Sequence, residues 1–211
     1  MHPSLLIVFV GVLYILGFGA LSVVRRQGLS DRFIFEGLII TATGAAIAVT
    51  PMSLHPVVFL LFLYLITMRV RLLVDLGNQF TARHRCEQAL SLFRLALRLW
   101  PDPVTRQIVL INRGVTQLRM QDPEAAYLTL KDALANEQVR QGAKYLAAGY
   151  YNLGLASRRT GREAEAVRHF NEAIDTLPSS VYAHGARQAL KKKGESGELE
   201  ATTTPGEAQD Q

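Results

Sequence analysis

This chain of 211 residues is short of most of what chemistry at a fixed site requires. It has one cysteine, Cys86, so neither a disulfide framework nor a multi-cysteine metal site can form within it. Its histidines (His2, His55, His84, His169 and His184) share no helix face at metal-ligand spacing. His84 and Cys86 stand two apart and diverge on a helix. No phosphate-binding glycine loop, nucleophile elbow or His-Glu-x-x-His pair occurs. Asp122 and Glu124 flank Pro123, which is a helix-start signature rather than an acid pair. Cys86 opens a helix and reads as a small packing residue, with a reactive thiol as the sharper alternative. These absences leave a stand-alone enzyme without support. No catalytic residue, metal or cofactor is expected.

Charge is scarce too. Charged residues are 19% and hydrophobic ones 49%, which excludes a disordered chain. The net charge of +5 is spread thinly. Arginines near apolar segments and solvated helix faces account for it, so no nucleic-acid partner is expected.

What is abundant is apolar length. Ser4 to Val24 carries no charge. At about 1.5 Å per residue it matches a hydrocarbon layer of about 30 Å. No basic segment precedes it and a second apolar run follows, unlike a cleaved signal peptide. That second run, Phe33 to Thr50, is interrupted only by Glu36. Arg32 stands four residues before Glu36, in pairing position. Within the run, Gly44 and Ala48 have the small-xxx-small spacing of close helix packing. That spacing serves hairpin packing or a self-association face. Pro51 and Pro56 mark a turn. A third run starts at Val57 and is dense only as far as Met68. It reads as one long helix to about residue 75 that leaves the bilayer near Arg69 and Arg71, with a re-entrant hairpin as the alternative.

Arg25, Arg26 and Arg32 follow the first run, and Arg69, Arg71, Arg83 and Arg85 follow the third. No lysine or arginine lies between the second run and the third. The positive-inside rule then places the N-terminus outside and residues 76–211 in the cytoplasm. The expectation is a membrane domain over 1–75, with spans at about 4–24, 33–50 and 56–75, in a bacterial inner membrane.

The rest repeats. Gly77, Ala89, Phe93, Ala96 and Pro101 have the same offsets as Gly154, Ala166, Phe170, Ala173 and Pro178. Gly114, Ala126, Leu130 and Ala133 share them, with Gln138 in place of the closing proline. Tyr150, Leu153 and Gly154, then Gly161, complete the third set. This pattern resembles the tetratricopeptide repeat (TPR). Ser157 departs from it where an aromatic is usual, and Arg113 where a leucine is usual.

The resemblance implies an all-α fold. Apolar transmembrane helices precede a three-repeat α-solenoid of helix pairs at about 70–103, 107–140 and 147–180. Each glycine admits the partner helix, and Phe93, Leu130 and Phe170 are the knobs. The glycines are further apart than the family's period of about 34 residues, so extra residues are assigned to the links at 101–106 and 136–144. Val181 to Lys193 reads as a capping helix over a domain spanning 70–190. Its terminal lysines suit a helix C-terminus, or a contact with anionic lipid. Residues 194–211 lack large apolar side chains and are expected to be disordered.

Such arrays hold an extended peptide or partner helix on the inner face of their first helices. In this register the groove comprises Arg71, Val74 and Asn78 from repeat one. Repeat two supplies Ile108, Ile111, Val115 and Arg119, and repeat three Tyr151, Leu155, Arg158 and Arg159. Packing inside the short superhelix is the alternative for Ile111 and Val115. Val74 and Ala148 stand where co-chaperone members carry carboxylate-clamping lysines, so that clamp is not expected. The implied function is a membrane-anchored adaptor binding a protein or peptide partner beside the lipid bilayer. The alternative is an accessory subunit of a transporter or enzyme complex that works through its membrane helices.

Overall fold

A computed structural model describes residues 3–24, 31–50, 54–135 and 142–202. Among them are ten helices and no strand. The turn expected at Pro51, most of the second link and residues 203–211 lie outside them.

The first three helices, α1 (Pro3–Val24), α2 (Asp31–Ile47) and α3 (Pro56–Thr67), pack on one another. Small residues permit the approach. Gly11 lies against Thr41. A Cβ on Gly44 would come within 2.6 Å of the Phe59 ring. Ile7, Tyr14, Ala48, Phe59 and Leu63 form the buried centre. The outer faces carry Leu16, Phe35, Ile39 and Val57, all more than 60% exposed.

The third apolar run is not one long helix. It breaks at Met68, and α4 (Arg69–Ala82) leaves α3 at 69°. No proline or glycine marks the break; side-chain bonds do. The Thr67 hydroxyl donates back to the Leu63 carbonyl at 2.7 Å, a bond that bends helices. The Tyr14 hydroxyl meets Thr67 Oγ1 at 2.7 Å, tying the bend to α1. Arg69 donates to the Ile66 carbonyl and, through both terminal nitrogens, to the Glu36 carboxylate.

Three helical hairpins follow: α4 with α5 (Cys86–Arg98), α6 (Pro103–Arg119) with α7 (Pro123–Leu134), and α8 (Ala143–Arg159) with α9 (Glu163–Thr176). Within each, a glycine faces a large side chain. A Cβ on Gly77 would lie 2.5 Å from Phe93, one on Gly114 2.5 Å from Leu130, and one on Gly154 2.7 Å from Phe170. Seven residues after each glycine, His84, Gln121 and Gly161 take positive φ of 61°, 62° and 76°. The next amide then reaches back five residues to a carbonyl. Arg85 bonds Phe80 at 2.9 Å, Asp122 bonds Gln117 at 3.1 Å, and Arg162 bonds Ser157 at 2.8 Å. This is the Schellman closure, made three times at one register.

The residues assigned to the first link are largely helical: α6 begins at Pro103, with Asp102 capping Val104 and Thr105. The capping helix also runs past its expected end. α10 spans Val181–Thr202 and takes in the first part of the segment expected to be disordered. Glycines 194 and 197 each cost a helix only about 1 kcal/mol.

Candidate partner-binding groove

The first helices of successive hairpins lie side by side, α4 on α6, α6 on α8 and α8 on α10. Their shared face is the expected groove. It is more closed than the sequence suggests.

Three residues before each glycine stand Val74, Ile111 and Tyr151. Val74 and Ile111 are buried, at 5% and 3% exposure, inside the two cores between hairpins. Ile111 is therefore corrected from a binding residue to a packing residue. Ile108 also packs against the core between the first two hairpins. Tyr151 is half-buried, and α10 covers it. Its ring lies 6.1 Å from that of Tyr182, and a Cβ on Gly185 would come within 3.0 Å of it.

The arginines are also committed. Arg119 and Arg159 occupy one repeat position, five residues after the glycine. Arg119 donates to the Thr81 carbonyl at 3.1 Å, and Arg159 to the Leu118 carbonyl at 3.0 Å. Each thereby adds a second donor to a carbonyl at the end of the preceding repeat's first helix, beside the backbone amide of His84 or Gln121 that the carbonyl already accepts. These two expected binding arginines are staples between repeats. Arg158 lies over the Phe170 ring at 5.6 Å.

One position stays available, directly after each glycine. Asn78 there is exposed, and Val115 and Leu155 are half-buried. Leu155 packs partly against the cores on either side of it. Arg71 is exposed at the opening end. The accessible groove is thus a short strip from Arg71 and Asn78 to Val115 and Leu155, with α10 across its far end.

The second helices carry a separate set of links. Arg162 binds Glu124 through two nitrogens, at 2.7 and 2.9 Å, and lies 4.3 Å over the Tyr127 ring. The Arg162 bond holds Glu124 below the usual carboxylate range. The Tyr127 hydroxyl donates to Glu165 at 2.8 Å and lowers that carboxyl as well. On the first helices, buried Thr81 of α4 and Thr116 of α6 share a 2.8 Å hydroxyl bond between repeats one and two. Contacts of this kind leave no sequence signal, because they join residues about one repeat apart whose alignment depends on the stacking angle.

No three histidine, cysteine or acidic side chains come together among the described residues. Cys86 is half-buried at the start of α5.

Residues 147–180 match the tetratricopeptide repeat family. The match covers α9, most of α8 and the turn after α9. No curated protein matches the chain.

Proposed function

We propose that the chain is a membrane-anchored adaptor. α1–α3 hold it in the bilayer, and α4–α10 present a short groove to a protein or peptide partner on the cytoplasmic side. The repeat supports the second half of this reading, since tetratricopeptide repeats are protein-interaction modules. One observation carries the first half. α1 is long and apolar enough to cross a membrane, yet only 17% of its most apolar window is buried inside the protein. The core helix of a water-soluble domain would be mostly covered.

α1 is also packed into a unit with α2 and α3 through Gly11, Gly44 and Tyr14, which suits a retained helix better than a removed leader. Glu36 supports an anchor over a working membrane bundle. Both its oxygens are engaged by Arg69, and Arg32 Nε donates to one of them at 2.8 Å. That carboxylate locks helices together.

The test is capture of partners by the tagged full chain in detergent, read by mass spectrometry. The comparison is a groove variant carrying Asn78→Arg and Val115→Arg. Both positions face the accessible strip and neither staples the repeats. Partners retained by the native chain and lost by the variant support the adaptor. Equal capture by both overturns the groove. A second arm exchanges residues 1–68 for an unrelated anchor. Lost capture there would move the working surface into the membrane helices.

A further inference from the structure

Trp100 is the chain's single tryptophan. It follows α5 and is 79% exposed, the most exposed of the large apolar side chains among the described residues. Its backbone is left-handed, with φ of 54°. A bulky residue is strained in that conformation, so the surroundings must hold it. They do so from an unexpected direction. The Arg32 guanidinium, at the start of α2, donates to the Trp100 carbonyl across 68 residues of sequence. The same side chain pairs with Glu36, which is locked to Arg69 at the start of α4. Trp100 is therefore bolted to the end of the apolar helices where the chain leaves them.

The geometry of repeat one explains how it gets there. The 69° bend turns α4 away from the axis of α3. Where α3 stands across a bilayer, α4 lies nearer the membrane plane than its normal. α5 runs back along α4 and returns its C-terminal end to the level of Arg69. Near that end, Arg94, Leu95 and Arg98 share one exposed side of α5, with Leu95 at 44% exposure. An exposed indole with arginines beside it, level with the ends of lipid-facing helices, has the chemistry of the headgroup layer. The ring takes the apolar side, the N–H the wet side, and guanidinium groups meet phosphates.

We infer that Trp100 and the C-terminal end of α5 seat in the headgroup layer of the bilayer. Repeat one then lies along the membrane surface while repeats two and three extend from it. The inference rests on the membrane anchoring proposed above. It assigns a function to a residue outside the groove and sets the groove's orientation to the membrane.

A single tryptophan makes the test direct. The full chain is reconstituted into vesicles of phosphatidylcholine and phosphatidylglycerol, with bromine on the acyl chains either near the headgroup or near the bilayer centre. Vesicle flotation and tryptophan emission are read together, with iodide as the aqueous quencher. The expected result is a chain that floats, with emission quenched more by shallow than by deep bromine and shielded from iodide. A floating chain whose emission iodide quenches freely and bromine leaves untouched overturns the inference and leaves the anchoring intact. Emission shielded from both quenchers overturns it too, and points to a protein covering Trp100. A chain that does not float removes the anchoring and this inference together. Arg32→Gln, checked for native helix content by circular dichroism, is expected to float but lose the shallow quenching. Unchanged quenching in that variant would show that Arg32 does not hold Trp100 at the surface.

Discussion

The two halves of the molecule use one packing device and opposite outer surfaces. In α1–α3, Gly44 admits the Phe59 ring; in the repeats, Gly154 admits that of Phe170. In both, a missing side chain on one helix makes room for a large one on the next. The surroundings differ. Phe93, Leu130 and Phe170 are all but fully buried, and the outer faces of their hairpins carry charge. Around α1–α3 many large apolar side chains also point outward, with Phe35 at 68% and Val57 at 66% exposure. Water drives apolar surface inward in the repeats. A surface left apolar on this scale is stable only against something equally apolar. Close packing is thus common to both halves, and the character of the exposed surface is what separates them.

The sharpest way to break the comparison is to truncate one large side chain in each half. Phe170→Ala is expected to cost about 3–5 kcal/mol, since a fully buried ring leaves a cavity. Leu16→Ala, at 64% exposure on α1, is expected to leave the denaturation midpoint of the full chain in detergent unchanged. Equal losses would mean that the face of α1 is covered by protein. Glycine substitution probes the shared device. Gly154→Ala puts a methyl group 2.7 Å from the Phe170 ring and is expected to cost roughly 1–3 kcal/mol. Gly17→Ala meets nothing within 4 Å and is expected to be tolerated; the two thermal midpoints should separate accordingly.

A smaller effect, of opposite sign, belongs to the turns. Gln121 occupies the left-handed position that Gly161 fills in repeat three. Gln121→Gly is expected to stabilise by about 1 kcal/mol, and a lowered midpoint would contradict the triple closure. The least effect comes from pH and is confined to the repeats. Burial holds His169 below the ordinary histidine value, helped by Arg168 and Lys131 and opposed by Glu165. Above the ordinary value both folded and unfolded chains carry a neutral ring, and pH has no influence through it. As pH falls below that value the unfolded chain takes the proton first, so stability declines until the folded ring also protonates. His169→Phe, which keeps an aromatic ring against Tyr150, is expected to flatten that decline in acid denaturation curves.

The repeat register was legible because its cause is local. Glycine, alanine and knob recur at fixed offsets since each hairpin must close on itself, and Gly77, Gly114 and Gly154 mark it. The groove was less legible. Ile111 and Asn78 both stand on first helices at positions expected to line the groove, yet one is buried and the other exposed. What separates them is how closely the neighbouring first helix approaches. Arg119 and Arg159 read as ligand-binding charges, and their use as staples depends on where the preceding helix ends.

By itself, the order of residues determined most of the helices, the helix pairs and the long apolar surface, because periodicity, turn residues and hydrophobicity act within a few turns of chain. Tertiary structure alone decided the bend at Met68, the closing of the groove by Val74, Ile111 and Tyr151, and the bond that carries Arg32 to Trp100. Each of these joins groups far apart in sequence. Whether such groups meet depends on the angles at which whole helices pack, and no local pattern encodes those angles.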